Sequence, residues 1–358
     1  MDFGSDNAYG VLPRVMAALA RANQGAARAY GGDAVTQGLT PLFSDLFGRP
    51  VAVHPVFTGT AANALALATL TPPHGAVFCH AQSHIMVSEC GAPEFYAHGA
   101  RLIGIDGPAE GPMAGKLTAQ AIAEAIDALP RGFVHSVQPF AVSLSQPTEL
   151  GTVYGLDELA AIAWVVKSRG LKLHLDGARF ANAMAHLGAA TSGELAAATW
   201  RAGVDALSFG ASKGGTMGAE AVVYFDPADA SDFEYRRKKG GHLASKMRFV
   251  SVQLEAYVTD GLWLESARRA NALAQRLAEG LSKINSIRLP VPVQTNMVFA
   301  QMPAGVAARL RRAGAYFYDW HANADGPDAD SPVLARLATS FATPDEAVTR
   351  FVEIAAAS

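Results

Sequence analysis

Two segments of the sequence carry side chains that could form a catalytic pair. Asp176 follows the apolar run 171–175, and Lys213 lies in a turn of small residues just after the apolar run 205–209. A lysine can form a Schiff base with pyridoxal phosphate, and a carboxylate can keep the pyridine nitrogen of that cofactor protonated. Each residue also has a simpler interpretation, since Lys213 could be a solvated loop residue and Asp176 a helix N-cap.

The elements around this pair alternate between strand-like and helix-like patterns, which is typical of an α/β fold. Helices are predicted at 61–70 and from an N-cap at Asp157 to just before Gly170. Buried strands joined by helices form mainly parallel sheets, whose ligands bind at the carboxyl ends of the strands. We therefore expect Asp176 and Lys213 to lie at a ligand site. Short apolar runs predict strands at 51–57, 76–79, 101–105, 171–175, 205–209 and 221–225.

Further candidates are a turn and isolated polar residues. Gly59, in the turn Thr58-Gly59-Thr60, precedes a helix whose first amides could hold a phosphate, although ordinary strand-to-helix loops look the same. Arg179 could pair with a substrate carboxylate or form an interdomain ion pair. Arg336 interrupts an apolar run, so its charge should be paired or bind an anion. The remaining candidates are Ser208 as a hydroxyl donor to a phosphate, Arg248 as a phosphate ligand from a basic stretch, and His84 as a ring against the face of a cofactor.

The alternation of short strand-like and helix-like segments changes after about residue 253. A long helical region is predicted at 256–287, followed by strands at 296–301 and 334–338. A last helix begins near Thr343, which we predict as its N-cap. The sequence therefore predicts an N-terminal segment and large domain over 1–253, and a small C-terminal α+β domain over 254–358.

Length, net charge and cysteine content limit the classes of function that the chain could have. The chain has 358 residues, enough for a large core and a second domain, and half of them are hydrophobic, which argues against disorder. A net charge of -3 gives no electrostatic case for nucleic acid or an anionic membrane. Two cysteines, Cys79 and Cys90, cannot form a disulfide framework, so we expect reduced thiols in a cytoplasmic protein.

Other signals are missing from the sequence. The N-terminus shows no signal peptide, and the uncharged stretch 50–88 holds too many prolines, glycines and histidines for a membrane span. That stretch predicts a buried layer near a site or an interface. No zinc-site spacing occurs, and no Gly-x-Gly-x-x-Gly follows the first strand, which argues against a nucleotide-binding oxidoreductase. A non-catalytic binding protein would not need Lys213.

In order and spacing, these motifs resemble those of the threonine aldolase family, within the fold-type I pyridoxal phosphate enzymes. The resemblance implies an α/β fold, with a mainly parallel central sheet flanked by helices in the large domain. It rests on the segments Phe3-Gly4-Ser5-Asp6-Asn7, Tyr30-Gly31-Gly32-Asp33, Thr58-Gly59-Thr60-Ala61-Ala62-Asn63, His84, Leu175-Asp176-Gly177-Ala178-Arg179, Ser212-Lys213-Gly214 and Arg336. Three further segments, 89–95, 146–151 and 241–249, look closest to the low-specificity L-threonine aldolase and L-phenylserine aldolase branch.

The resemblance implies a role for each matching residue. Lys213 forms the Schiff base with pyridoxal phosphate, Asp176 pairs with the pyridine nitrogen, and His84 stacks on the ring near the substrate hydroxyl. The other implied roles are Gly59, Thr60 and Arg248 at the phosphate, with Arg248 from a neighbouring subunit; Ser5, Arg179 and Arg336 at the substrate carboxylate; and Tyr30 in the pocket wall.

The implied activity is reversible retro-aldol cleavage of L-threonine, L-allo-threonine or L-phenylserine to glycine and an aldehyde. A pyridoxal phosphate-dependent β-eliminating lyase or aminotransferase on the same fold is the alternative. Many family members carry a histidine where Glu149 stands here. His84 is therefore the first candidate for the base that takes the β-hydroxyl proton, and Glu149 the second. The family also implies a homotetramer, built as a dimer of dimers with shared active sites.

Overall fold

The computed structural model describes residues 1–320 and 332–357. Its larger part is built around seven strands: β1 (Ala52–Val56), β2 (Gly75–His80), β3 (Arg101–Ile105), β4 (Gln138–Ser145), β5 (Lys172–Gly177), β6 (Ala206–Gly210) and β7 (Glu220–Tyr224). They form one sheet in the order β1-β7-β6-β5-β4-β2-β3. Five adjacent strands are parallel to one another, namely β3, β2, β4, β5 and β6, whereas β7 is antiparallel to both of its neighbours, β6 and β1. The carboxyl ends of β1, β2, β4, β5 and β6 therefore meet at one edge.

Helices cover both faces of this sheet. All five residues of β6 and all five of β7 are buried, as expected for central strands packed on both sides. The helices of this part are α1 (Pro13–Ala22), α2 (Ala34–Phe47), α3 (Gly59–Leu70), α4 (His84–Val87), α5 (Ala92–Tyr96), α6 (Ala119–Asp127), α7 (Leu156–Ser168), α8 (Phe180–Leu187), α9 (Ser192–Ala197), α10 (Phe233–Lys239) and α11 (Arg248–Val258). None of the helices in the described part of the chain is long and apolar enough to cross a membrane.

Helix α3 lies in the uncharged stretch predicted to be a buried layer, and nine of its twelve residues are buried. It is rich in alanine and leucine on every side, which is typical of a helix enclosed by its surroundings. Its contacts include β5, β6 and β7. The first turn of α3 is therefore held firmly against the edge at which the parallel strands end.

A second apolar cluster is formed by the C-terminal elements. These are α12 (Leu262–Leu281), β8 (Met297–Met302), α13 (Ala304–Arg312), β9 (Tyr318–Asp319), β10 (Val333–Ala338) and α14 (Asp345–Ala356), with β8 and β9 both antiparallel to β10. Phe3 also belongs to this cluster, and its carbonyl accepts a hydrogen bond from the amide of Ala338 at 2.8 Å. The N-terminal segment is thus fixed to the C-terminal sheet. The division between residues 253 and 254 stays a prediction.

The structure corrects several local predictions. The helix expected over 256–287 is interrupted, because Asp260 and Gly261 have φ values of 55° and 70° between α11 and α12. Asp157 is not an N-cap: α7 begins after Gly155, whose amide donates to Glu158 at 2.7 Å. Thr343 is not an N-cap either, since its hydroxyl accepts from the amide of Ser340 and α14 begins at residue 345. Strand β4 was not among the predicted strands.

Candidate active site

Loops from five strand ends surround a cavity of about 430 Å³ at the carboxyl edge of the sheet. This is the position that the strand-end argument predicts for a ligand site. Seven of the predicted site residues line the cavity: Gly59, Thr60, His84, Glu149, Asp176, Arg179 and Lys213.

Lys213 lies in the turn after β6, and Glu220 at the start of β7 fixes that turn. The Glu220 carboxylate accepts the amide hydrogens of Ala211 at 2.9 Å and Ser212 at 3.3 Å. Burial lowers the pKa of the Lys213 amine, and the Arg179 guanidinium lowers it further. A lysine must be neutral to act as a nucleophile, so its surroundings favour the reactive form.

Asp176 is buried at the end of β5, and both of its carboxylate oxygens accept hydrogen bonds. Oδ1 accepts from the amide of Ala178 at 3.0 Å, and Oδ2 from Nδ2 of Asn63 at 2.9 Å. Because Asn63 belongs to the buried helix α3, the carboxylate has a fixed orientation at the cavity wall. It is suited to hold a cationic ring nitrogen.

His84 contacts two carboxylates of the cavity lining, one through its ring and one through its backbone amide. Its Nδ1 lies 2.7 Å from Oε1 of Glu89, and its backbone amide donates to Oε1 of Glu149 at 2.9 Å. The hydrogen bond with Glu89 raises the pKa of His84. Burial raises the pKa of Glu149, whose Oε1 also accepts from the hydroxyl of Ser145 at 2.7 Å. Glu149 is thus already engaged in positioning His84.

Arg179 forms a two-pronged ion pair with Asp6 of the N-terminal segment. Nε donates to Oδ2 at 2.6 Å and Nη2 to Oδ1 at 2.9 Å, and Nδ2 of Asn296 also donates to Oδ2 at 3.0 Å. Burial raises the pKa of Asp6, but the charges of Arg179 and Lys213 bring it below its ordinary value. The pair is therefore ionised, and it presents the other edge of the guanidinium to a ligand.

The first turn of α3 offers free amide donors to the cavity. Thr58 is the N-cap, and its hydroxyl accepts from the amide of Ala61 at 3.2 Å. The amides of Gly59 and Thr60 have no hydrogen-bond partner in the described part of the chain. A Cβ added to Gly59 would meet no protein atom within 4 Å, so the space beside it is open. Helix N-termini with free amides bind phosphate groups.

Five predicted site residues lie outside the cavity lining. Ser208 is buried, and its hydroxyl pairs with Nε2 of His174 at 3.0 Å. Tyr30 is 55% exposed, with Nζ of Lys238 4.6 Å from its ring centre. Nη1 of Arg248 donates to the carbonyl of Gly25 at 3.1 Å in an exposed hydrogen bond, and the residue is half-buried. Their proposed contacts with cofactor or substrate stay predictions.

Ser5 and Arg336 are the other two residues outside the lining, although Arg336 is near enough to Arg179 and Asp6 for their charges to act on it. The Ser5 hydroxyl accepts from the amide of Asn7 at 3.2 Å, and Nη2 of Arg336 donates to the carbonyl of Gly4 at 2.9 Å. The buried Nε of Arg336 has no hydrogen-bond partner among the described residues, so the expectation that this charge is paired or binds an anion stays a prediction. The place of both residues at the substrate carboxylate stays a prediction.

Sequence reasoning assigned no role to four polar residues of this site: Asp6, Asn63, Glu89 and Glu220. One signal was visible for Asn63, because an amide inside the run Ala61–Leu70 is unusual in so apolar a helix. Asp6 and Glu89 lay inside segments that carried the family resemblance. Their partners could not be inferred, since Asp6 lies 173 residues from Arg179 in the chain.

Comparison with solved structures defines the class of protein. The fold matches a threonine aldolase of Leishmania major with a TM-score of 0.88 and 30% sequence identity, over 99% of this chain and 98% of that one. It also matches the N-succinyldiaminopimelate aminotransferase of Mycobacterium tuberculosis with a TM-score of 0.71, over 99% and 92% of the two chains. At 19% identity, that second likeness shows the fold alone. The expected fold-type I architecture is confirmed.

Comparison with known sequences identifies the family to which the chain belongs. The family model described as beta-eliminating lyase matches residues 2–304. The sequence is 44% identical over 316 residues to a low specificity L-threonine aldolase of Pseudomonas sp. (strain NCIMB 10558), covering 88% of each chain. The chain therefore belongs to the β-eliminating lyase family and, within it, to the threonine aldolases.

Proposed function

We propose that this protein is an aldolase that cleaves L-threonine and related L-β-hydroxy-α-amino acids reversibly to glycine and an aldehyde. The observation that carries the proposal is the placement of Lys213, Asp176 and Arg179 around one cavity. The 44% identity to a low specificity L-threonine aldolase supports the same activity. L-allo-threonine and L-phenylserine belong to the proposed substrate range.

Pyridoxal phosphate is the cofactor that the family and the site imply, and the cavity residues fit it. Lys213 would hold its aldehyde carbon as a Schiff base, Asp176 its pyridine nitrogen, and the free amides of Gly59 and Thr60 its phosphate. When bound, it supplies an electron sink for the electron pair of the breaking Cα–Cβ bond.

Arg179 would bind the substrate carboxylate and so orient the bonds around Cα. Asp6 occupies its Nε–Nη2 edge, which leaves Nη1 and the second hydrogen on Nη2 for the ligand. A carboxylate fixed by a guanidinium has a defined position and rotation. The bond that breaks is then held in the geometry that the reaction needs.

His84 would accept the proton of the β-hydroxyl as the Cα–Cβ bond breaks. The side chain lines the cavity and is 45% exposed, so a substrate can reach it. Glu149 is the weaker candidate, since its Oε1 already accepts two hydrogen bonds. If a His84→Asn variant kept nearly full aldolase activity with the cofactor bound, His84 would be excluded as the base.

The cavity is too weakly cationic to neutralise a phosphate by itself. Within the described residues, Lys213 and Arg179 are the lysine and arginine that line it, and both have other tasks. An arginine from a second copy of the chain would complete the site, and Arg248 is our candidate because its guanidinium makes only an exposed hydrogen bond to Gly25 in the described part of its own chain. A homotetramer with shared sites is accordingly part of the proposal.

Product analysis with L-threonine tests the reaction. Our proposal predicts glycine and acetaldehyde in equal amounts. A β-eliminating lyase would instead give ammonia and 2-oxobutanoate, and an aminotransferase would need a keto-acid acceptor. Release of ammonia without glycine, from protein with its cofactor bound, would refute the aldolase assignment. Lys213→Ala is the control, since any product formed by that variant does not arise from this site.

A further inference from the structure

A chain of four buried or half-buried side chains connects Asp176 to His84. Nδ2 of Asn63 donates to Oδ2 of Asp176 and to Oε1 of Glu89, both at 2.9 Å. The same Oε1 of Glu89 lies 2.7 Å from Nδ1 of His84. Neither Glu89 nor Asn63 is needed for the chemistry described above. Together they connect Asp176 and His84, the two residues proposed to contact the cofactor ring.

The hydrogen on the imidazole can be assigned from these contacts. Both neighbours of the Asn63 amide are carboxylate oxygens, so its NH₂ group must face them and donate. Oε1 of Glu89 is therefore an acceptor toward Asn63, and it accepts equally from Nδ1 of His84. Nδ1 thus carries a hydrogen, and Nε2 of neutral His84 is the nitrogen with a free lone pair.

From this geometry, we propose that Glu89 is the positioning residue of His84, holding the hydrogen on Nδ1 so that Nε2 can accept the β-hydroxyl proton. The proposal rests on the aldolase function described above. The side chain of Glu89 has no exposed surface, whereas that of His84 is 45% exposed. Glu89 is therefore the fixed partner, and the imidazole is oriented by it.

The local backbone explains how a carboxylate reaches this position. Glu89 comes just after Ser88, the C-cap of α4, and the next two residues, Cys90 and Gly91, have φ values of 52° and 73°. This left-handed turn redirects the chain into α5, and the carbonyl of Glu89 accepts from the amide of Ala92 at 2.9 Å. The turn fixes the backbone of Glu89 on its C-terminal side, and the end of α4 precedes it on the other.

The charges around His84 favour its protonated form, and Glu89 contributes most. The hydrogen bond to Glu89 raises the pKa of His84, burial opposes it, and the charge of Asp176 raises it while that of Lys213 lowers it. Glu149 faces the backbone amide of His84. Burial and the charge of Asp176 raise the pKa of Glu89, whereas its hydrogen bond with His84 lowers it. Replacing this carboxyl group with an amide should therefore make His84 a weaker base.

Nuclear magnetic resonance of ¹⁵N-labelled histidines tests the proposal without any turnover. The chain has ten histidines, and loss of one signal set in His84→Asn identifies His84. We expect neutral His84 to carry its hydrogen on Nδ1, with and without pyridoxal phosphate. Glu89→Gln should move its titration to lower pH, whereas Glu94→Gln, five residues further on and outside the cavity, should not.

The pH profile of threonine cleavage provides the second readout. A base must be unprotonated, so a lower pKa of His84 moves the acid limb of kcat/KM to lower pH. In Glu89→Gln we expect that displacement together with a loss of about 10–100-fold in kcat/KM at the optimum. In a His84→Asn background, Glu89→Ala should cause no further loss in kcat, because Glu89 acts through His84.

The outcomes separate this proposal from the proposed function. If wild type releases no glycine, the aldolase assignment fails, but the resonance experiment still tests the pair. If neutral wild-type His84 carries its hydrogen on Nε2, Glu89 does not have the proposed role. The same conclusion follows if Glu89→Gln leaves both the titration and the acid limb unchanged. Once the His84→Asn spectrum has identified the signals, the wild-type measurement decides the matter even if the Glu89 variants do not fold.

Discussion

Asp6 connects the N-terminal segment to Arg179, and replacing it with asparagine tests what that ion pair contributes. The Asp6 side chain is 2% exposed and that of Arg179 is 16% exposed. Removing one partner of a fully buried ion pair costs about 3–5 kcal/mol. Arg179 borders an open cavity, and asparagine keeps one acceptor, so we expect about 2 kcal/mol here.

The expected consequence is a weaker hold on the substrate carboxylate. Without the second prong, the guanidinium has more than one orientation, so KM for L-threonine should rise, by at most roughly 30-fold if the whole of the ~2 kcal/mol appears in substrate binding. The value of kcat should change less, because the reacting bond is still broken by the same groups. The pKa of Asp6 is lowered, so its carboxylate is ionised at every pH above the ordinary carboxylate pKa. The rise in KM should therefore persist down to about pH 5.

The assay is steady-state release of acetaldehyde at pH 5–8, together with the free energy of unfolding in urea. Asp2→Asn is the matched control, since Asp2 lies in the same segment and its Oδ1 accepts only from the amide of Gly4. A KM that falls or stays constant in Asp6→Asn would refute the reasoning. Asp6 would then compete with the substrate carboxylate for Arg179 instead of orienting it.

Two further predictions concern the sheet edge. A Cβ at Gly210 would collide with the carbonyl oxygen of Ala178, so Gly210→Ala should lower the free energy of unfolding by about 3 kcal/mol. The control is Gly193→Ala, which lies in open space on a helix and should not lower the free energy of unfolding. Urea titration measures both variants. Burial lowers the pKa of His174 to about 4, below its unfolded value. The unfolded chain therefore binds a proton that the folded chain does not, and stability is lost as pH falls from about 6.5 to about 4. His174→Gln should lose less stability over this range, and equal losses in both proteins would contradict the argument.

The sheet and the catalytic pair follow from local patterns. Asp176 and Lys213 each end an apolar run, and the rule that parallel strands present ligands at their carboxyl ends was sufficient to bring them together. The break at Asp260 was missed because helical periodicity continues on both sides of it. Strand β4 was missed for a related reason, since its residues mix apolar side chains with Ser143, Ser145 and a proline.

Long-range pairing is what the sequence could not supply. Asp6 reaches Arg179 only because Phe3 fixes the N-terminal segment to the C-terminal sheet, and no local pattern encodes that contact. Glu89 is only five residues from His84, but the turn that follows it has positive φ at Cys90 as well as at Gly91. Left-handed backbone at a residue other than glycine is rarely predictable from sequence.

Reductive trapping of the cofactor tests the central claim most directly. The purified protein, loaded with pyridoxal phosphate, is treated with borohydride, which converts a Schiff base into a stable secondary amine, and the modified peptide is identified by mass spectrometry. Our account predicts the pyridoxyl group on Lys213, and its absence from the same peptide in Lys213→Ala. Modification of another lysine, or of none in a protein that cleaves threonine, would contradict it.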